Sequence, residues 1–465
     1  MSLFTTQSEV PVTSRNQLVA YSADACKPKS DWLIGCEHEK FPYRLNNLRP
    51  VAYDEANGLR DFMNGMKDFG WEPVMESENI IGLTRGKSAI TFEPGGQVEL
   101  AGAPLPNLHE TSAENDQHLT EANEIGERLG IGFLGMGFHP TARREDIAMV
   151  PKERYIKIQK PNMPKYGSMG LDMMLRTCTV QVNLDYADEP DMVKKFRVSL
   201  ALQPIATALF ASSPFKEGKP NGFNSYRMHV WTDVDNARCG APQFVFEDGF
   251  GFERYVDYAL DVPMQFVYRD GHHVDCYGQS FRDFMNGNLP AMPGQTPIMG
   301  DWANHLTTLF PDVRMKKILE MRGADSGDAE MLLALPSFWV GILYDTTAID
   351  AAWDLVKGWT EQDRVNLKAD VPKHGLRAEV QGQTVAEIAQ RAVTIAQQGL
   401  RRRACRLHGG ADETRYLDIL FNITESGQNR ADQLLMSYEN FDDFKLRDIF
   451  NQCRLVAPPK VYDAP

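Results

Sequence analysis

No apolar run in the chain reaches the roughly 18–20 residues that a membrane-spanning helix needs. Cys-x-x-Cys is missing as well, and the seven cysteines, at 26, 36, 178, 239, 276, 405 and 453, are odd in number and scattered. That pattern excludes a disulfide framework or a zinc knuckle and suits reduced thiols. Positive charge is in short supply: 49 Lys and Arg against 63 Asp and Glu leave a net charge of −14. Nucleic acid and anionic membranes are therefore poor partners, although a local basic pocket for an anionic substrate stays open. The opening "MSLFTTQSEVPVTSRNQ" carries no apolar signal core and is short for a transit peptide. Together these absences lead us to expect a cytoplasmic protein. With 43% hydrophobic residues in a chain of 465, a core forms without staples.

What is present alternates. In "ITFEPGGQVEL", Ile90 and Phe92 share one face, with Thr91 and Glu93 on the other; Val98 and Leu100 repeat the pattern opposite Gln97 and Glu99. A three-residue Pro94-Gly95-Gly96 loop pairs Phe92 with Val98 and Thr91 with Glu99. Glu93 and Glu99 then become diagonal neighbours on the polar face, about 7–8 Å apart at the backbone. That spacing suits a divalent cation held between carboxylates, and without a cation the pair repels.

The same design recurs in four further stretches. "WLIGCEHEKF" sets Glu37 and Glu39 on one face; "TCTVQVNLD" puts Gln181 and Asn183 opposite Val180 and Val182; "KILEMRGAD" alternates Glu320 and Arg322 with Leu319 and Met321. "SYRMHVWTD" reads as a strand with Arg227, His229 and Trp231 on one side. Any one strand is explained by a half-exposed antiparallel sheet with an ordinary polar face. Five glutamates (37, 39, 93, 99 and 320) with few lysines are less ordinary, because a solvated face mixes signs. Oxygen-only ligands without a Cys or His cluster favour Mg²⁺ or Mn²⁺ over zinc.

Residues 1–30 read as a polar lead-in, and 31–465 as one domain whose part beyond about 345 is mostly helical. Amphipathic helices are expected at 114–129, at 190–210 with an interruption at Pro204, and at 383–400. Strands at irregular spacing with hairpins point to an α+β fold around a mostly antiparallel sheet. "GLTRGKS" (82–88) is one residue short of a phosphate loop and leads into a strand; "GIGFLGMGF" (130–138) has no acidic residue at dinucleotide-binding spacing and reads as a closely packed strand. His272-His273 beside "RDG" reads as a turn.

Long stretches, among them "GCEHEKF", "FEPGGQVELAG", "LDMMLRTCTVQVNLD", "GKPNGFNSYRMHVWTD" and "HLTTLFPDVRMKKILEMRGAD", resemble the glutamate–cysteine ligases of the plant-like type, from about residue 31 to 345. The resemblance implies a glutamine-synthetase-like catalytic domain that uses ATP and Mg²⁺ to join L-cysteine to the γ-carboxylate of L-glutamate, the first step of glutathione synthesis, as a monomer or weak homodimer. It makes Glu37, Glu39, Glu93, Glu99 and Glu320 metal ligands, with Gln181 on the metal or nucleotide side. Arg322 would serve the transferring phosphate and the nucleotide, and with Glu320 would be catalytic. Arg227 and Trp231 would form the glutamate pocket, with Phe138, Arg144 and Tyr166 lining the amino-acid sites. Plant members can form a regulatory disulfide from the cysteine matching Cys276; its partner position is Ala291 here, and a second plant cysteine position is Leu333, so no such thiol switch is expected. Rival functions are a ligase for another amine, a non-catalytic nucleotide or metal sensor, and a metallohydrolase.

Overall fold

The alternating stretches become a nine-stranded sheet in the computed structural model, which describes residues 8–407, 410–440 and 446–456. In chain order the strands are β1 (Ile34–Arg44), β2 (Glu72–Glu76), β3 (Asn79–Arg85), β4 (Ser88–Phe92), β5 (Val98–Ala101), β6 (Ile131–Leu134), β7 (Thr179–Leu184), β8 (Val313–Met315) and β9 (Leu319–Asp325). The order across the sheet is β8-β9-β7-β1-β5-β4-β3-β2, with β6 on the far end of β1, and the pairings are antiparallel. The expected α+β class therefore holds.

The β4–β5 hairpin has the expected register, Phe92 with Val98 and Thr91 with Glu99. Its loop closes through Glu93 N–H to Gln97 O at 2.9 Å and Gly96 N–H to Glu93 O at 2.9 Å. Gly96 sits at φ +86°, a conformation in which a β-carbon is strained. "GLTRGKS" forms the β3–β4 turn with no helix behind it, "GIGFLGMGF" supplies β6, and His272-His273, expected as a turn, instead opens the second strand of a small hairpin, Phe266–Arg269 with His272–Asp275.

One face of the sheet is apolar. Ile90, Phe92, Val98, Leu100, Val180, Val182, Leu319 and Met321 are buried there in a core shared with residues of the Leu108–Leu129, Glu189–Leu209, Ala329–Leu343 and Val385–Arg403 helices. The first of these starts six residues before the expected point, where the Asn107 side chain accepts from Glu110 N–H. The second runs unbroken through Pro204: its residues from Phe196 onward are almost all buried, and that packing outweighs the missing N–H. Beyond 345 the described residues are mostly helical. The stretch read as a lead-in carries the Arg15–Ala23 helix, whose Leu18 is buried and whose Arg15 pairs with Asp257 at 2.7 Å. Among the described residues no single helix is long and apolar enough to cross a membrane.

"SYRMHVWTD" is not a strand. Ser225 caps a short helix, Tyr226–Val230, by accepting from Met228 N–H, and a 3₁₀ turn, Trp231–Asp233, follows. The helical period still places Arg227 beside Trp231, four residues on, with the guanidinium carbon 6.0 Å from the ring centroid. His229 leaves that side and stacks on Phe223 at 4.3 Å.

The Ala329–Leu343 and Val385–Arg403 helices cross with backbones touching at Gly341 and Gly399, where a β-carbon on Gly399 would overlap the Gly341 carbonyl oxygen. Gly399→Ala is expected to cost about 1–3 kcal/mol through forced separation of the two helices. Urea unfolding checks this, and an unchanged midpoint would show that the crossing has slack.

Candidate functional site

The polar face of the sheet is covered, not solvated. Glu39 is 9% exposed, Glu99 and Glu320 are 0%, and Thr91 and Gln181 are 2% and 3%. The Pro94–Gln97 turn, the 173–177 segment, the Arg227–Trp231 helical turn and Phe310 close over it. Gln97 ties the turn to this cover through its side-chain amide, which donates to Met174 O and Thr177 O.

Register brings three of the five predicted glutamates together. Glu39 on β1 lies directly opposite Glu99 on β5, and Glu99 lies opposite Thr91 on β4. Glu93 extends from the end of the same hairpin, and one oxygen from each of Glu39, Glu93 and Glu99 falls within 4.8 Å of the others. Burial pushes the Glu39 carboxyl well above the usual range, with the Glu93 and Glu99 charges adding to the shift. Burial likewise pushes Glu99 up to about 7, with Glu93 and Glu37 adding to it. Glu39 Oε2 accepts from Thr179 N–H at 3.0 Å, while Glu93 Oε1 is buried with no hydrogen-bond partner among the described residues. An all-oxygen set, with one acceptor unused and protons held above their ordinary pKa, fits a hard divalent cation.

The other two glutamates sit elsewhere on this face. Glu37 accepts from Asn183 Nδ2 at 2.8 Å. Glu320 accepts from Arg314 Nε and Nη2, at 2.5 and 2.9 Å, and from Arg322 Nη1 at 3.0 Å. Burial disfavours its charge, yet Arg314, Lys316 and Arg322 together hold Glu320 well below the usual carboxylate range. Arg322 also donates to Gln181 Oε1 at 2.5 Å, which joins those two predicted residues directly.

Arg227 and Trp231 face the same cavity as Glu39, Glu93, Gln181 and Arg322. Arg227 Nη2 donates to Arg322 O at 3.0 Å, but its Nε, like Trp231 Nε1, is buried without an acceptor among the described residues. A buried donor left so costs about 1–3 kcal/mol, a cost that a bound acceptor removes. Both donors are thus open to an acceptor in this cavity.

Phe138, Arg144 and Tyr166 are not brought to this cavity. Phe138 packs against the short helix, 4.8 Å from the Tyr226 ring, with the Arg176 guanidinium 4.6 Å from its own ring centroid. Arg144 is held by Asp172 at 2.6 and 2.9 Å in a separate surface cleft with Arg143, Arg176 and Lys216. Tyr166 is 43% exposed and stands against Tyr277.

Two residues at the site were not singled out from sequence. Arg314 lies opposite Glu320 in the β8–β9 register, a partnership that needs the pairing to be known. Lys152 comes from the loop before the Arg154–Gln159 helical turn; its ammonium donates to Thr91 Oγ1 and, at 2.7 Å, to Phe92 O. Burial pulls its pKa down to about 7, against the upward pull of Glu93 and Glu99. Lys152 also lines a cleft of about 800 Å³ between the β2–β3 edge and the Phe266–Asp275 hairpin, with Arg154, Lys157, His272 and His273.

Residues 33–450 match the family model of glutamate-cysteine ligase family 2 (GCS2). A chloroplastic glutamate–cysteine ligase B of Oryza sativa subsp. japonica is 52% identical over 434 residues, covering 93% of this chain and 85% of that protein. A chloroplastic glutamate–cysteine ligase of Solanum lycopersicum is 53% identical over 429 residues, covering 92% of this chain and 80% of that protein. The crystal structure of a Francisella tularensis glutamate–cysteine ligase in complex with AMP superposes with a TM-score of 0.51 at 12% identity, over 91% of this chain and 87% of that one, so the fold is shared. The cytoplasmic setting expected from the scattered thiols and the opening residues is overturned, because these relatives at about half identity are chloroplastic proteins. Scattered reduced thiols do not discriminate between two reducing compartments. With its family model matched almost end to end, the chain belongs to glutamate-cysteine ligase family 2.

Proposed function

We propose that this protein ligates L-cysteine to the γ-carboxylate of L-glutamate at the expense of ATP, as the first step of glutathione synthesis, with residues 31–465 working as one ligase unit. The observation that carries it is the adjacency, on one covered sheet face, of the Glu39–Glu93–Glu99 trio, the Arg322–Gln181 pair and the unsatisfied donors of Arg227 and Trp231. Family membership and relatives at 52–53% identity support the same reaction.

A carboxylate does not accept an amine at neutral pH, because its oxygen is a poor leaving group. In the proposed sequence the glutamate side-chain oxygen attacks the γ-phosphorus of ATP; the O–P bond forms as the bond to the β,γ-bridging oxygen breaks, and ADP departs. The amine of cysteine then attacks the acyl carbon, the C–N bond forms, inorganic phosphate leaves and the amine gives up its proton. Arg227 clamps the glutamate α-carboxylate through its guanidinium fork, and Trp231 Nε1 offers a further donor. Arg322 places charge beside the transferring phosphate. The cover over the face keeps water from the acyl phosphate. Mg²⁺, held by Glu39, Glu93 and Glu99 with Glu37, Glu320 and Gln181 nearby, would supply neutralisation of the phosphate oxygens. The nucleotide would approach through the large cleft that Lys152 lines, where Arg154, Lys157 and two histidines stand beside Glu76 and Glu153.

ADP release with glutamate and Mg²⁺, assayed with cysteine and with a panel of other amines, tests the proposal. Release that requires glutamate and rises most with cysteine supports it. A different preferred amine keeps the chemistry and changes the product, and no nucleotide turnover removes the ligase.

Two further outcomes are expected. In the metal-free protein, a Glu99 carboxyl raised to about 7 favours folding fully below its ordinary range near 4.5, and that contribution is lost as pH rises through 7. Mg²⁺ selects the ionised form, so its stabilising effect should grow over the same window. Thermal melts should show a larger Mg²⁺-induced rise at pH 8 than at pH 5.5, and the rise should vanish, with most turnover, in Glu93→Gln. Equal rises at both pH values, or one that survives the substitution, would remove the metal assignment. Arg227→Lys should raise KM for glutamate by about tenfold or more while KM for ATP stays within about twofold, since an ammonium cannot reproduce the fork. Equal changes in both KM values would count against the clamp.

A further inference from the structure

Strand β9 does not alternate to its end. Met321 pairs with Val182 and Ala324 with Val180, so three steps along β9 match two along β7. This bulge reverses the phase: Ala324 takes the apolar side and Asp325, paired with Thr179, turns toward the face that carries Glu320 and Arg322. Simple alternation from Leu319 would have buried Asp325 among the apolar residues.

Asp325 is 1% exposed and ties two other chain segments, at Ser212–Ser213 and at Ser225, to β9. Its Oδ2 accepts from Ser212 N–H at 3.0 Å and Ser213 Oγ–H at 2.6 Å, and its Oδ1 accepts from Ser225 Oγ–H at 2.8 Å. Two of the serines, Ser213 and Ser225, lead onward to the short helix that bears Arg227 and is followed by the turn that bears Trp231. Ser225 Oγ caps it by accepting from Met228 N–H at 3.2 Å, and Ser213 Oγ accepts from Arg227 N–H itself at 3.2 Å. The Gly137 backbone closes the far side, where a β-carbon would collide with the carboxylate. The helix has only five residues, too few to hold an orientation by its own hydrogen bonds.

We propose that Asp325 is the positioning residue of the amino-acid pocket: through Ser213 and Ser225 it fixes the Arg227–Trp231 turn relative to Arg322, so that the guanidinium and the phosphate-side arginine meet the two ends of one substrate. This rests on the assignment of Arg227 to glutamate made above. Asp325 touches no substrate; it acts through two hydroxyls whose hydrogens it orients. Its negative charge also faces the Arg227 guanidinium and partly offsets the burial of that cation.

The test is steady-state kinetics of Asp325→Asn, alone and combined with Arg227→Lys. Asn keeps the size but sets an N–H₂ group against at least one donor now satisfied by an acidic oxygen. Asp325→Asn should raise KM for glutamate about tenfold, the scale expected for a displaced clamp, with KM for ATP within about twofold. In the Arg227→Lys background the same change should add less than about threefold, because the clamp it positions is already gone. Ser213→Ala, which cuts the link to Arg227 N–H and leaves the charge in place, should reproduce the glutamate-specific effect in weaker form and serves if Asp325→Asn does not fold. KM values for glutamate and ATP that rise together, or effects that multiply fully in the double variant, would overturn the proposal and reduce Asp325 to a fold residue. Wild-type protein without glutamate-dependent ADP release would instead remove the assignment beneath it.

Discussion

Like charges at the Glu39–Glu93–Glu99 cluster are the constraint to which the surrounding structure answers. Burial and mutual repulsion raise the proton affinity of Glu39 and Glu99, so each has two ways to persist there: keep a proton or meet a cation. Nearby cations also serve other partners. Lys152 spends its donors on Thr91 and Phe92, Arg314 is committed to Glu320, and Arg322 divides its contacts between Glu320 and Gln181. The like charges are thus kept at one point, where three oxygens converge.

The same segregation orders the rest of the face. Glu320 and Arg314 form a buried pair that balances itself and lets Arg322 lean toward Gln181 without drawing the trio's charge away. Arg227, by contrast, retains an unsatisfied Nε beside an unsatisfied Trp231 Nε1. Acceptors on one side and donors on the other, facing a common cavity, suit a metal ion at the first and a carboxylate at the second. Lys152 lines the large cleft, whose lining is distinct from that of the cavity over the sheet.

Rigidity underneath comes from register. β1 runs through the middle of the sheet and pairs with β7, β5 and β6 along successive parts of its length, so Glu37 and Glu39 cannot move without breaking ladders on both sides. The apolar face makes the register costly to slip, since a shift by one residue would exchange Val180 and Val182 for Gln181 and Asn183. The amino-acid side is held differently. A five-residue helix has little stiffness of its own, and it borrows that of β9 through serine hydroxyls.

The sequence by itself determined which side chains share a face wherever the chain is a regular strand. Period-two alternation placed Glu39, Glu93 and Glu99 on the polar side, and a Pro-Gly-Gly loop allowed one register between Phe92 and Val98. Arg322 and Gln181 were legible for the same reason, since each lies in an alternating run whose apolar partners must be buried. The long Val385–Arg403 helix was equally plain from its 3.6-residue stripe. Tertiary structure alone decided three things. It made "SYRMHVWTD" a capped helix, because a Ser225 hydroxyl paired with a buried aspartate competes with strand geometry and the partner lies 100 residues away. It kept the Glu189–Leu209 helix intact through Pro204, because surrounding packing repays a local defect. It gathered the trio at the expense of Phe138, Arg144 and Tyr166, because which faces meet is set by strand order and by the segments that fold over the sheet, and neither is written in the period of any one segment.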